Sequence, residues 1–316
     1  QFFVSIIFKY LCNFCFLLNM VSGKKISPKE ILLREKLFWD EESEKSLLWV
    51  SKIVKKDFLS KIKNKPVWWD SYIKPIQHKL ILDVGCGTEN HIPYFVLSKN
   101  KVVGTDLSRN TIKINKLILD KLDIKASVVT SSNPINIIQL FKKKNDSSVI
   151  LVEGNIEYPL FVREQFDVVH AKWVLHHTQS IPKALKKINL SLKHGGLFLC
   201  TESNLLYPLR WITQVKFLRS INLFRYLAIK YGPLDPYEMA ETPWSYIKMI
   251  QDAGFKIHVV DFKYEFELVR YIVRLFIKNK QIIHFAEKID NLLLLLGFPK
   301  YFAMDVKILA EKVKDV

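Results

Sequence analysis

Apolar positions along the chain follow two rhythms. From 28 to 63 they recur at helical spacing, through Ile31, Leu32, Phe38, Leu47, Leu48, Val50, Ile53, Val54 and Phe58. Ser27-Pro28-Lys29-Glu30 supplies the signature of a helix start: a capping hydroxyl, a proline in the first turn and an acid after it. A helical region therefore precedes a different pattern. Residues 80–84, LILDV, form a short unbroken apolar run of the kind that makes a strand buried on both faces. Residues 101–106 (KVVGTD), 149–153 (VILVE) and 166–170 (FDVVH) repeat it, and 174–178 continue out of the fourth run's carboxyl end. A helix over 182–194 and the turn Gly195-Gly196 lead to a fifth strand, LFLCTE. A helix over 243–253, a sixth strand over 254–260 and a seventh over 302–309 complete the series. Between the second and third strands, 125–148 is rich in Ser, Asn and Lys and reads as a surface loop with a short helix. Strands alternating with helices predict an α/β fold with a doubly wound, mostly parallel sheet.

The polar residues collect at the strand ends. Gly85-Cys86-Gly87-Thr88 follows the first strand at once, and a strand, a tight glycine turn and a helix form the nucleotide-binding opening of such sheets. Asp106 ends the second strand, 23 positions after Asp83, where a carboxylate can accept both hydroxyls of a ribose. Gly154-Asn155-Ile156-Glu157 ends the third, and His176-His177 lies beyond the fourth. Ligands of doubly wound sheets bind at these carboxyl ends.

The ordered strings LDVGCGT, VVGTDLS, GNIE, FDVV…VLHHT and LKHGGLFL resemble the class I S-adenosylmethionine-dependent methyltransferases, closest to the small-molecule branch called methyltransferase type 11. The resemblance covers about 80–202. It implies a Rossmann-like seven-stranded sheet with a reversed last hairpin, S-adenosylmethionine as cofactor, and methyl transfer to an O or C atom of a small-molecule or lipid-like acceptor. Residue by residue, it implies that Asp83 orients the methionine amino group and that the backbone at Gly85, Cys86 and Gly87 passes under the cofactor. Asp106 would hold the ribose, with Leu107 beside the adenine. Asn155 and Ile156 would meet the adenine edge, and Ala171 and Lys172 would line the methionine end. His176 or His177 would be the base, since an oxygen acceptor needs one and imidazole titrates near neutrality.

Two positions depart from the family pattern. Glu89 replaces a third glycine, and Asn155 replaces an aspartate whose acceptor role an amide oxygen can keep. A carboxylate at 89 suits a helix start but sits badly beside a pyrophosphate, which argues against a nicotinamide dehydrogenase. Glu89 also leaves open an alternative: a catalytically inactive, cofactor-binding partner protein. No metal is expected, because adjacent histidines on a strand point to opposite faces and no acid cluster accompanies them. Ala171-Lys172-Trp173-Val174 stands where base-modifying methyltransferases carry an NPPY-type tetrad, which argues against nucleic-acid methylation.

Composition changes the picture in three places. The formal charge is +17, yet Arg occurs only eight times against 40 Lys. Phosphate-reading surfaces favour Arg forks, so this excess reads as compositional bias that still attracts anionic surfaces. Four Cys exclude a disulfide scaffold, and Cys86 and Cys200 read as core residues of a protein in a reducing, cytoplasmic setting. Residues 1–19 are an apolar leader, read as an artefact or a membrane anchor. The expected organisation is then a helical region over 20–79, the cofactor core over 80–202, a substrate-covering segment over 203–245, and the end of the sheet with amphipathic helices over 246–316. The segment 268–297 mixes apolar residues with Arg270, Arg274, Lys278 and Lys280, a pattern that packs on a sheet or touches an anionic membrane.

Overall fold

A computed structural model of the chain describes residues 28–63, 67–88, 91–144, 146–207, 240–262, 269, 273, 279–295 and 302–316. The apolar leader, Ser27, Glu89 and most of the segments 203–245 and 263–279 lie outside these residues. The chain divides into two compact units, one of 32–203, 239–261 and 305–316, the other of 1–31, 204–238 and 262–304.

The first unit contains the whole sheet. Its strands are β1 (Leu80–Val84), β2 (Lys101–Asp106), β3 (Ala126–Val129), β4 (Val149–Glu153), β5 (Phe166–Lys172), β6 (Leu192–Ser203), β7 (Phe255–Asp261) and β8 (Asp305–Lys312). Their spatial order is β3-β4-β2-β1-β5-β6-β8-β7. The first six run parallel, and β8 lies antiparallel between β6 and β7, giving the expected reversed last hairpin. The apolar runs are strands for the predicted reason. Ile81, Leu82, Val102, Val103, Ile150, Leu151 and Val169 are all fully buried at the middle of the sheet, each contributing about 1.5–3 kcal/mol of apolar burial.

Two expectations need correcting. Among the described residues the sheet has eight strands rather than seven, because Ala126–Val129, expected in a surface loop, pairs with β4 as an edge strand. Four residues with Val128 47% exposed carry too little alternation to announce a strand. Its neighbouring short helix, Ile137–Lys143, is present. The helix expected over 182–194 stops at Ser191, and β6 starts at Leu192 with Gly195-Gly196 inside it, since positive φ at Gly195 lets the strand bend without ending.

The helices are α1 (Pro28–Ser51), α2 (Lys55–Lys63), α3 (His91–Leu97), α4 (Arg109–Lys121), α5 (Ile137–Lys143), α6 (Ile181–Ser191), α7 (Pro243–Asp252) and, in the second unit, α8 (Lys280–Leu295). Val50, Phe58 and Ile62 from α1 and α2 pack with Ile114 and Ile118 of α4 and with Leu122. That cluster seats the N-terminal helices on the sheet's helical layer. No helix of the described residues is long and apolar enough to cross a membrane.

Candidate active site

The site is assembled at the carboxyl ends of β1, β2, β4 and β5. β1 delivers Asp83 and then turns sharply, with Gly85 at φ 59° and Gly87 at φ 50°. The two glycines have different reasons. A Cβ at Gly85 would stand 2.3 Å from Val174 Cγ2, so this glycine admits the loop after β5. A Cβ at Gly87 would meet only Gly85 O, at 3.9 Å, so this glycine serves the turn itself. The turn is held by its neighbours: Cys86 N donates to Thr105 O at 3.0 Å, and Asn115 Nδ2 donates to Gly87 O.

Asp106 ends β2 and organises the next turn. Its Oδ2 accepts from Gly87 N at 3.1 Å and its Oδ1 from Ser108 N at 2.9 Å. Burial pushes its carboxyl up to about 6, with the two backbone donors acting against that rise. Each carboxylate oxygen still has a lone pair to offer a ligand.

Asp83 is 2% exposed. Its Oδ1 is 2.7 Å from His170 Nδ1, while Oδ2 is buried with no hydrogen-bond partner. His170 stands among Trp69, Phe95 and His91, with ring centroids 5.4, 5.6 and 4.6 Å away. Among the described residues, Asp83, His91 and His170 are the one group whose candidate ligand atoms lie within 4.8 Å of one another. The imidazole–carboxylate hydrogen bond accounts for two of those atoms without an ion.

α1 roofs these strand ends. Lys36 Nζ reaches Glu153 Oε1 at the end of β4 at 2.6 Å. Asp40 Oδ1 accepts from Ser108 Oγ at 2.6 Å, and that same hydroxyl caps α4 by accepting from Thr111 N at 3.0 Å. Ser46 Oγ and Thr88 Oγ1 are 3.2 Å apart. Beneath lies a cavity of about 410 Å³ lined by Asp83, Gly85, Cys86, Gly87, Asp106, Leu107, Asn155, Ile156, Lys172 and His177, with Glu35 and Trp39 from the roof. These ten residues, expected from the sequence at a ligand site, share one cavity wall, and the Asn155 side chain also serves its own turn. Its Oδ1 accepts from Glu157 N at 2.9 Å, so the amide oxygen expected to face an adenine braces its own turn.

Two expected residues are elsewhere. Ala171 is fully buried and does not line the cavity, because it alternates with Lys172 along β5 and points to the other face. His176 is also outside the lining. Its Nδ1 is 2.5 Å from Glu202 Oε2, and Glu202 Oε1 accepts from Val174 N and Leu175 N at 3.0 and 2.8 Å. The histidines sit on a 3-10 turn, Leu175–His177, rather than on a strand, and their rings are 4.1 Å apart. His177 keeps its place in the cavity, with Nδ1 3.7 Å from Glu35 Oε2. Cys86 and Cys200 are buried and burial pushes both thiols up, which removes them as nucleophiles at neutral pH.

Sequence reasoning missed Glu35, Trp39, Asp40 and His170. The only signal for the first two is a stripe of Glu35, Trp39, Ser43 and Ser46 at helical spacing, three of them polar, which an ordinary helix face also shows. The donor set fits a ligand with a cationic amine, a diol and a flat apolar ring: a buried free carboxylate oxygen at Asp83, accepting lone pairs at Asp106, and the side chains of Leu107 and Ile156.

The chain is similar to several known proteins. Demethylmenaquinone methyltransferase of Staphylococcus carnosus is 29% identical over 146 residues, 44% of this chain and 50% of that protein. An uncharacterized protein of Methanocaldococcus jannaschii is 26% identical over 135 residues, 42% of this chain and 40% of that one. The chain thus spans about half the length, or less, of these curated relatives. Among solved structures, an S-adenosylmethionine-dependent methyltransferase from Mesorhizobium loti is similar with a TM-score of 0.49 at 14% identity, covering 79% of this chain and 100% of that one. Haemonchus contortus phosphoethanolamine N-methyltransferase 2, in complex with phosphomonomethylethanolamine and S-adenosylhomocysteine, gives 0.48 at 16% identity, over 93% and 62%. A family profile described as a methyltransferase domain matches residues 65–260, which take in β1 to β6, the glycine turn and all but the last residue of β7, while β8 lies beyond them. On that match over more than half its length, the chain belongs to the methyltransferase-domain family.

Proposed function

We propose that this protein is an S-adenosylmethionine-dependent methyltransferase (EC 2.1.1.-) that methylates an O or C atom of a small-molecule or lipid-like acceptor. The observation that carries the reading is the pair of carboxylates at adjacent parallel strand ends, Asp83 with a free buried oxygen and Asp106 beside the Gly87 turn. When bound, S-adenosylmethionine supplies a methyl group already activated by a sulfonium. The chain's own residues then have mainly to bind and align. Asp83 Oδ2 would accept from the cofactor's ammonium group, and Asp106 from its ribose hydroxyls. Leu107 and Ile156 would flank the adenine, and the α1 roof would keep water out. His177 takes a proton from the acceptor. His176, committed to Glu202, does not.

For the acceptor, the support is of a coarser kind. The S. carnosus relative is named for demethylmenaquinone. On α8, Ile282, Phe285 and Leu292 are 41%, 63% and 52% exposed beside Lys280 and Lys288. An apolar acceptor taken from an anionic membrane surface suits both facts. Mass spectrometry of ligands released from the purified protein tests the whole reading. Recovery of S-adenosylmethionine or S-adenosylhomocysteine is the expected result, and recovery of a nicotinamide dinucleotide instead would refute it.

A further inference from the structure

One acid in the cavity wall has no task in holding the cofactor. Glu35, on α1, is only 3% exposed. Its Oε2 accepts from Trp39 Nε1 at 3.1 Å and stands 3.7 Å from His177 Nδ1. The Trp39 ring meets the His177 ring edge-on, with centroids 5.1 Å apart at 85°. The ring of His176, itself fixed by Glu202 at 2.5 Å, is 4.1 Å from that of His177. The imidazole therefore packs against two rings, with a buried carboxylate near one nitrogen. A carboxylate beside Nδ1 favours the proton there and leaves the lone pair on Nε2. His177 lines the same cavity as Asp83 and Asp106, so the nitrogen able to accept a proton belongs to a ring on the wall of the proposed cofactor site.

We propose that Glu35 is a positioning residue. It holds His177 as the Nδ1–H tautomer, so that α1, which reads as a mere cover, completes a carboxylate–imidazole pair whose Nε2 takes the acceptor's proton. This rests on the methyltransferase reading and narrows it, because the acceptor must be a hydroxyl or enol with a proton to lose. In the transfer, the acceptor's O–H bond breaks and its proton goes to His177 Nε2. An O–CH3 bond forms, the S–CH3 bond breaks, and the sulfur keeps the electron pair. The proton on His177 then leaves to water. At 3.7 Å, Glu35 stabilises the transient imidazolium by charge rather than by a formed hydrogen bond. Trp39 keeps the carboxylate from turning away.

The test reads the tautomer rather than turnover. Imidazole ¹⁵N resonances of the full chain are recorded with S-adenosylhomocysteine, and His177 is assigned by the signal lost in His177→Gln. The wild type is expected to show Nδ1–H at His177. Glu35→Leu should move the ring to the Nε2–H form that an unconstrained imidazole prefers, while calorimetry shows unchanged affinity for S-adenosylhomocysteine. If Glu35→Leu does not fold, Glu35→Gln is read in the same way. An Nε2–H ring in the wild type, or the same tautomer in a variant that still binds S-adenosylhomocysteine, overturns the proposal. Failure of the wild type to bind S-adenosylhomocysteine would instead strike at the methyltransferase reading.

Discussion

At the scale of single residues, Asp106 carries the sharpest consequence. Its carboxyl, raised to about 6 in the free protein against an ordinary value of 3.8, binds a proton more readily folded than unfolded. Between those values this group therefore favours the free folded chain as pH falls, and that stability is lost as pH rises through 6. Ribose hydroxyls need the opposite form, the ionised acceptor. Affinity for S-adenosylhomocysteine should fall below pH 6, approaching a limit of about tenfold per pH unit from this group. Asp106→Ala should bind more weakly by at least ~1 kcal/mol at pH 7.5 and lose that pH dependence. Calorimetry across pH decides it; a variant with the wild-type profile would show that Asp106 does not meet the ligand. Gly85 offers a second test. Gly85→Ala combines a φ of 59° with a 2.3 Å clash against Val174 and should cost about 2–4 kcal/mol in chemical denaturation. Adding Val174→Gly should return the part due to the clash and leave about 1 kcal/mol of backbone strain.

These residues also mark how far the chain could be read without its fold. Gly85, Gly87 and Asp106 announce themselves because strand, turn and acid are contiguous in sequence. Ala171 and His176 were misplaced because their roles depend on strand parity and on whether two histidines sit on a strand or a 3-10 turn, which one residue of phase decides. Glu35 was out of reach, since it lies 142 positions before His177 and meets it only through the docking of α1.

At the scale of elements, α1 is the part whose meaning changed. Its apolar spacing predicts a packed helix, but three polar links spread along it tie it to the ends of β4 and β2 and to the turn after β1. The middle link is the most committed, because Ser108 both caps α4 and donates to Asp40, and Asp40 Oδ1 also accepts from Asn110 N at 3.3 Å. Asp40→Ala should leave the sheet intact and cost about 1–2 kcal/mol, as a charge-assisted hydrogen bond does. Hydrogen exchange should quicken along α1 ahead of the core strands, and dissociation of S-adenosylhomocysteine should speed up several-fold. Unchanged exchange in α1 would mean that the apolar contacts of Val50 with α2 and α4 hold the roof alone. The edge strand β3 shows the reverse limit. Its pairing with β4 is set by neighbours, and its four residues are too few and too exposed for hydropathy to reveal.

At the scale of the whole molecule, the fold follows from alternation of apolar runs and helices, while the charge of +17 speaks only to surroundings. Attraction to anionic surfaces is long-range and screened by salt, within about 10 Å at 0.1 M. The full chain should therefore cosediment with phosphatidylglycerol vesicles at low salt, and release as salt rises. Absence of binding at low salt would move the acceptor to the freely dissolved class. The central claim, that the cavity under α1 holds S-adenosylmethionine, is tested most directly by titrating the purified chain with S-adenosylhomocysteine in a calorimeter at pH 7.5, with NADH in a parallel run. The account predicts one saturable site for S-adenosylhomocysteine and no heat with NADH. Saturable NADH binding with none for S-adenosylhomocysteine would contradict it.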